Sequence, residues 1–240
     1  MADLFFQPLN IKMKKYLFLL LLVNIAYAQK NIRITYNVTI QNEDIFKDNA
    51  DLRKLMDRAI KDAKNLNFVL LCNTDESYFY SKNHLNTDDK LLLNSNLNFA
   101  QYIGEIYQRK DSLFCYSNLL GNNIYQKKNA AVEWVLTNET KIIDGFTCMK
   151  ATSNFKVVNK EKIFNHPVIA WYCPSIPYSF GPNGYSGLPG LILELQVRNV
   201  VYGATQIELN TTETFEIDTK KMKILNEQEY KEALDKMNDF

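Results

Sequence analysis

AWYCPSIPYSFGPNGYSGLPGLILEL, residues 170 to 195, holds four of the protein's six prolines and four of its eight glycines. It reads as a strand (Val168 to Cys173), a long rigid loop (Pro174 to Pro189) and a second strand (Leu191 to Val197). Pro174, Pro177, Pro182 and Pro189 restrict the unfolded loop, and glycine beside proline specifies turns of defined φ. Leu188-Pro189 must reverse the chain, so Gly187 or Gly190 is expected to take a left-handed conformation. Glycines 181, 184, 187 and 190 recur every three residues, a spacing open to a phosphate cradle, but no Lys or Arg lies between residues 163 and 197. Four triplets are also too few for a collagen-like segment.

The rest of the chain is read for partners to these two strands. In Asn31 to Gln41 the residues Ile32, Ile34, Tyr36, Val38 and Ile40 alternate with polar ones, the period of a half-buried strand. Leu52, Leu55, Met56, Ala59, Ile60 and Ala63 then follow helical spacing, which predicts an amphipathic helix over 51–66. Strands are expected at Phe68 to Thr74 and Tyr78 to Ser81. The Asn-rich stretch 83–98 reads as loop, with one helical turn at Lys90 to Leu93. Further strands are read at Ile106 to Gln108, Ser112 to Ser117, Ile124 to Gln126, Val132 to Leu136 and Phe146 to Lys156, with Arg109-Lys110-Asp111 as a hairpin turn. After the opening stretch come Val200 to Glu208, Glu213 to Ile217 and a C-terminal helix, Glu227 to Met237. Short turns between many strands imply a β-rich α+β fold. Its expected form is a curved, largely antiparallel sheet or incomplete barrel, with one helix covering the concave side and a short C-terminal helix.

Residues 13–28, MKKYLFLLLLVNIAYA, have the basic start, short apolar core and Ala26-Tyr27-Ala28 ending of a secretory signal peptide. Cleavage after Ala28 is expected, with no cysteine there for lipid attachment. Residues 1–12 read as an extension from a misassigned start, and 29–240 as one β-rich domain of 212 residues. The 28 basic residues less Lys12, Lys14 and Lys15 leave 25, and the 27 acidic residues less Asp3 leave 26. That balance argues against a nucleic-acid binder, and no later segment is long and apolar enough to span a membrane. The expected location is periplasmic or secreted.

Export permits disulfides among Cys72, Cys115, Cys148 and Cys173. Three pairings are possible; neighbouring strands favour Cys72–Cys115 with Cys148–Cys173, and the alternative is that the thiols are small buried hydrophobes. There is no C-x-x-C, and His84 and His166 stand alone, so neither metal nor cofactor is expected.

The segments Ala170-Trp171-Tyr172, Ile176-Pro177, Gly181-Pro182 and Gly187-Leu188-Pro189-Gly190-Leu191-Ile192-Leu193-Glu194 resemble the signature of the GLPGLI family, exported proteins of Bacteroidota. Upstream, Lys141-Ile142-Ile143-Asp144-Gly145-Phe146-Thr147-Cys148-Met149-Lys150-Ala151-Thr152 resembles that family's K-x-I-x-G-[YF]-x-C-x-K-A block. The resemblance covers about residues 133–196; the N-terminal half shares only a strand–helix–strand layout. Cys173 stands where the family pattern suggests threonine, so no disulfide rule is inherited. The family carries no established activity, and the resemblance implies relatives rather than a reaction.

Function must then be read from the residues. Trp171, Tyr172, Tyr178, Phe180 and Tyr185 would suit a ligand or partner surface, or else fill a packed corner of the sheet. The expectation is an envelope protein without catalysis that binds a hydrophobic small molecule, a peptide or another envelope protein. The alternative is an envelope hydrolase using His166 and Glu194. Ser179, Ser186 and Cys173 lie near the motif, but no Gly-x-Ser-x-Gly elbow exists. Asp144 with Glu194 would form a carboxylate pair, against which Asp144 reads as a turn residue and Glu194 as an outward strand position.

Overall fold

Strand β1 (Asn31–Ile40) buries Ile32, Ile34, Tyr36, Val38 and Ile40 on one face, as their alternation requires. The structure, a computed structural model, describes residues 31–42, 48–82, 90–117, 124–129, 132–159, 162–216 and 223–238. The extension expected at 1–12, the signal peptide expected at 13–28, His84 and Ile217 lie outside the described residues. On one side β1 pairs antiparallel with β2 (Asn67–Cys72), followed outward by β3 (Glu76–Ser81), β4 (Ile106–Arg109), β5 (Ser112–Ser117) and β6 (Ile124–Asn129). On the other it pairs with β11 (Val200–Thr211), then β10 (Leu191–Val197), β9 (Lys162–Cys173), β8 (Phe146–Asn159) and β7 (Val135–Ile143). A short β12 (Lys223–Leu225) joins the outer edge of β6 in parallel. The result is one open sheet of twelve strands, antiparallel except at β12.

Helix α1 (Ala50–Asp62) carries the chain from β1 to β2. The Asn49 side chain caps it by accepting from the Leu52 amide at 3.0 Å. Met56 and Ala59 are buried, and so is Ala63 in the 3₁₀ turn that follows. The two alanines let this face of the chain lie close to the core while Met56 fills the space beside them. Leu52 and Leu55 stay 38% and 43% exposed, so only part of the apolar stripe is used.

The core is a cluster of rings inside the curl. Phe68 stacks on Phe79 with centroids 5.7 Å apart and meets Tyr102 and Tyr202 at 5.2 Å each. The buried hydroxyls are satisfied: Tyr36 donates to the Ile192 carbonyl at 2.6 Å and Tyr202 to the Ala100 carbonyl at 2.8 Å. Burial holds both phenols well above the ordinary tyrosine range.

Several sequence expectations are corrected. The helical turn at Lys90 to Leu93 is the start of a helix, α2 (Lys90–Phe99), because Leu93 and Leu97 share a buried face that the asparagines between them disguise. The strand read at Val132 to Leu136 begins at Val135 and runs on through polar residues to Ile143, since an edge strand with little burial needs no hydrophobic alternation. No strand forms at 213–216. Those residues cross the outer face of the sheet, where Glu213 pairs with Arg33 at 2.9 Å and the Phe215 ring lies 6.1 Å from Tyr78. The C-terminal helix, α3 (Glu227–Asn238), forms as expected.

The cysteine pairing changes too. All four thiols are free and buried. Strands β3 and β4 stand between Cys72 on β2 and Cys115 on β5, which corrects the pairing of those two. Three strand spacings amount to about 14 Å, beyond the ~7 Å Cα separation a disulfide tolerates. Cys148 and Cys173 continue the Met149↔Tyr172 register and face each other across β8 and β9. The Thr137 hydroxyl donates to the Lys150 carbonyl, so that carbonyl points toward β7, and Cys148 lies two residues along the same strand. The Cys148–Cys173 pair is therefore one that exchanges no ladder bond, with Cα atoms about 4.5 Å apart. That spacing falls within the disulfide range. Burial is the main cause pushing the Cys148 thiol up to about 12, so little thiolate is present at neutral pH and exchange should be slow. Incubation with oxidised glutathione at mildly alkaline pH is expected to link Cys148 to Cys173 and to leave Cys72 and Cys115 as thiols. Non-reducing peptide mapping reads the outcome, and a Cys72–Cys115 peptide would contradict this strand order.

Candidate functional site

The sheet curls until its two ends face each other without closing. Asn129 at the end of β6 and Val135 at the start of β7 are six residues apart, which limits the gap there to about 21 Å. A groove of about 720 Å³ occupies this seam. One wall carries Leu113 and Lys128 from β5 and β6, and the other Val135 and the run Thr152 to Phe155 from β7 and β8. Ile103, Val132 and Tyr185 complete its apolar lining. Val135 is 66% exposed, Ile103 48% and Phe155 42%, high values for residues gathered in one hollow. Lys128 and Glu133 are its charged members among the described residues.

The loop from Pro174 to Gly190 forms one rim of this groove and plugs the adjoining end of the sheet. Ile176, Phe180 and Leu188 point inward and are buried. The loop is tied down by its own backbone: Gly187 N–H donates to the Ser179 carbonyl at 3.0 Å, and Ile192 N–H to the Phe180 carbonyl at 3.0 Å. The Ser179 hydroxyl donates to the Leu188 carbonyl at 2.6 Å. Outside anchors come from Trp134, whose indole donates to the Ser186 carbonyl at 2.8 Å, and from Gln108, whose amide donates to the Ser186 hydroxyl at 2.7 Å. The Asn183 amide donates to the Gln101 carbonyl at 2.9 Å. Gly187 has φ +91° and Gly190 φ +155°. A Cβ on Gly190 would stand 2.3 Å from the Cys173 carbonyl oxygen, so any other residue here would force the backbone to shift.

The five aromatic residues read as a ligand or partner surface separate. Tyr172 is 2% exposed and belongs to the core, because its strand turns that face inward. Phe180 is 6% exposed and borders a smaller cleft of about 470 Å³, together with Asp75, Gln108, Lys110 and Ser186. Tyr178 packs half-buried against the core. Tyr185 reaches the groove, and burial pushes its phenol up to about 12. Trp171 faces away, under the Lys141 and Lys150 ammonium groups at 5.6 and 6.0 Å from its ring centroid.

That last arrangement joins the two motif blocks of the sequence. Lys141 donates to both carboxylate oxygens of Glu194 at 2.8 and 2.6 Å, and Lys150 to both of Glu139 at 2.9 Å. Lys150, Trp171 and Glu194 occupy one register row across β8, β9 and β10. These residues hold the far end of the sheet together.

The hydrolase constellation does not assemble. Glu194 stands opposite Trp171, five residues along β9 from His166, a distance of about 16 Å. Glu194 is engaged by Lys141, and Asp144 occupies an exposed hairpin turn at φ +48°. The serine hydroxyls of 179 and 186 are engaged within the loop and its anchor. The groove-lining Ile103, Leu113, Lys128, Val135 and Phe155 escaped the sequence reading, since each is an ordinary strand or loop residue until the sheet curls.

A family model described as "Protein of unknown function (Porph_ging)" matches residues 158–194, from the end of β8 through the loop into β10. No curated protein matches the sequence. Among solved structures the chain is similar to PNGF-II in its P21 space group, with TM-score 0.50 and 19% identity over 86% of this chain and 33% of that one. The C2 form of PNGF-II gives TM-score 0.49 and 18% identity with the same coverage. The chain therefore spans about a third of the length of that solved chain, and at this identity the likeness is one of fold.

Gly190→Ala is expected to lower stability by about 1–3 kcal/mol or more through forced backbone displacement, a drop of roughly 2–4 °C in Tm per kcal/mol. Gly145, at φ +79° with nothing within 4 Å of its Cβ position, isolates the conformational part of that effect. Thermal melts of Gly190→Ala and Gly145→Ala should rank in that order; equal melting temperatures would contradict the close approach.

Proposed function

We propose that this chain is an exported envelope protein of the GLPGLI family that works by binding. Its ligand is a hydrophobic or peptide-like molecule, or a segment of a partner protein, held in the groove between the two ends of the sheet. The observation that carries this reading is the groove itself, an open hollow of about 720 Å³ where several large apolar side chains remain exposed. A hollow of that size lies within the range of ordinary ligand pockets. The separation of His166 from Glu194 speaks against the hydrolase alternative. Export rests on residues 13–28, whose basic start, apolar core and Ala26-Tyr27-Ala28 ending suit a cleaved leader.

Two measurements check this reading. N-terminal sequencing of protein extracted from the native envelope is expected to begin at Gln29, and a start upstream of Asn24 would contradict export with cleavage. The purified protein is expected to bind an environment-sensitive anilinonaphthalene dye. The paired change Val135→Asp with Phe155→Asp should weaken that binding by about tenfold, which corresponds to roughly 1.4 kcal/mol, with an unchanged melting temperature. Equal dye binding by both proteins would place the binding surface elsewhere.

A further inference from the structure

We infer that the groove takes up an extended, uncharged peptide segment, which adds as a strand to the free edge of β8. This rests on the reading of the groove as a binding site and selects among its candidate ligands. Strand β7 pairs with β8 only as far as Val135↔Thr152, whereas β8 continues to Asn159 in register with β9. From Ser153 onward, one side of β8 has no strand partner among the described residues. Ser153, Asn154 and Phe155 on this stretch line the groove.

Two observations fix which backbone groups face the opening. The Thr137 hydroxyl donates to the Lys150 carbonyl at 3.2 Å, so the Lys150 carbonyl points toward β7. Backbone groups alternate sides along a strand, which places the N–H and C=O of Thr152 and Asn154 on that same side. Opposite Asn154 stands Pro167, which has no N–H, and its carbonyl accepts from the Arg198 amide at 3.4 Å on the β10 side. The Asn154–Pro167 pair therefore exchanges no ladder bonds, and the Asn154 donor and acceptor are directed to the free edge. Across the groove the edge of β6 is similar, since its pairing with β12 ends at Leu225↔Gln126, before Lys128.

The chemistry of an occupant follows from these edges. An acyl chain or other pure hydrocarbon would cover the Asn154 N–H and C=O without bonding them, which buried backbone groups resist. An extended peptide bonds them, while its alternate side chains meet Val135, Phe155 and Leu113. One Lys and one Glu in the lining balance each other, which suits an uncharged segment. A strand of about five to six residues is the ordinary length for such an addition.

The test uses the mature protein and a random mixture of capped, uncharged hexapeptides, with retained sequences identified by mass spectrometry. A retained peptide is resynthesised with N-methyl groups on alternate residues, in each of the two possible frames. Palmitate serves as the lipid probe. The expected result is retention of peptides, with one methylation frame weakening binding by about tenfold or more and the other sparing it, because only alternate residues bond an edge. Asn154→Pro, which removes one edge donor at a position where proline is tolerated, should weaken the same peptide by a similar factor. Should that variant fail to fold, the two methylation frames decide alone. Palmitate binding without peptide retention overturns strand addition and leaves the binding reading standing. Equal binding of both methylated frames overturns strand addition as well, and binding of neither probe overturns both readings.

Discussion

An open sheet has two ends, and the backbone donors and acceptors there must find partners or water. Twelve strands twisting in one direction curl far enough for these ends to approach, and the ring cluster around Phe68 fills the inside of the curl. The chain treats the two ends differently. At one end residues 212–216 cross the outer face, fastened by Arg33–Glu213 and by Phe215 on Tyr78, and the chain then lays β12 along β6. Arg33 is 9% exposed, so its two carboxylate partners, Glu208 and Glu213, offset the burial of its charge.

At the other end β7 is disturbed by a bulge between Leu136 and Thr140, which lets Glu139 reach Lys150. A bulge and charged side chains on an edge strand both discourage pairing with another chain. Beyond Val135 that protection stops, and the part of β8 that has no strand partner on this side among the described residues lines the groove. Both features arise from one cause, the mismatch in length between β7, nine residues, and β8, fourteen.

The loop at 174–190 serves this geometry. Its glycines allow the backbone to touch Cys173 and its prolines limit the alternatives, so the loop keeps one shape while Ile176, Phe180 and Leu188 seal the core beneath it. Tyr185, Gly184 and Asn183 on its upper side form the rim of the groove. The Lys141–Glu194 pair and the lysines over Trp171 then brace the four strands β7 to β10 that carry the loop. Such partly exposed pairs contribute modestly to stability, about 0–1 kcal/mol each, and their greater effect is to hold register.

The amino-acid sequence by itself determined what depends on local pattern. The alternation of β1, the helical spacing of α1, the strand at Leu191–Val197 and the turn-rich loop before it are all legible, because side-chain direction repeats every two or 3.6 residues. The tertiary structure alone decided what depends on residues far apart in the chain. It separated Cys72 from Cys115 by two intervening strands and parted His166 from Glu194. It also made a groove from Leu113, Val135 and Phe155, which share no motif and no spacing. Strand order and the degree of curl are properties of the whole sheet, set by twist and by the volume of the rings inside it, and no short window of sequence carries them.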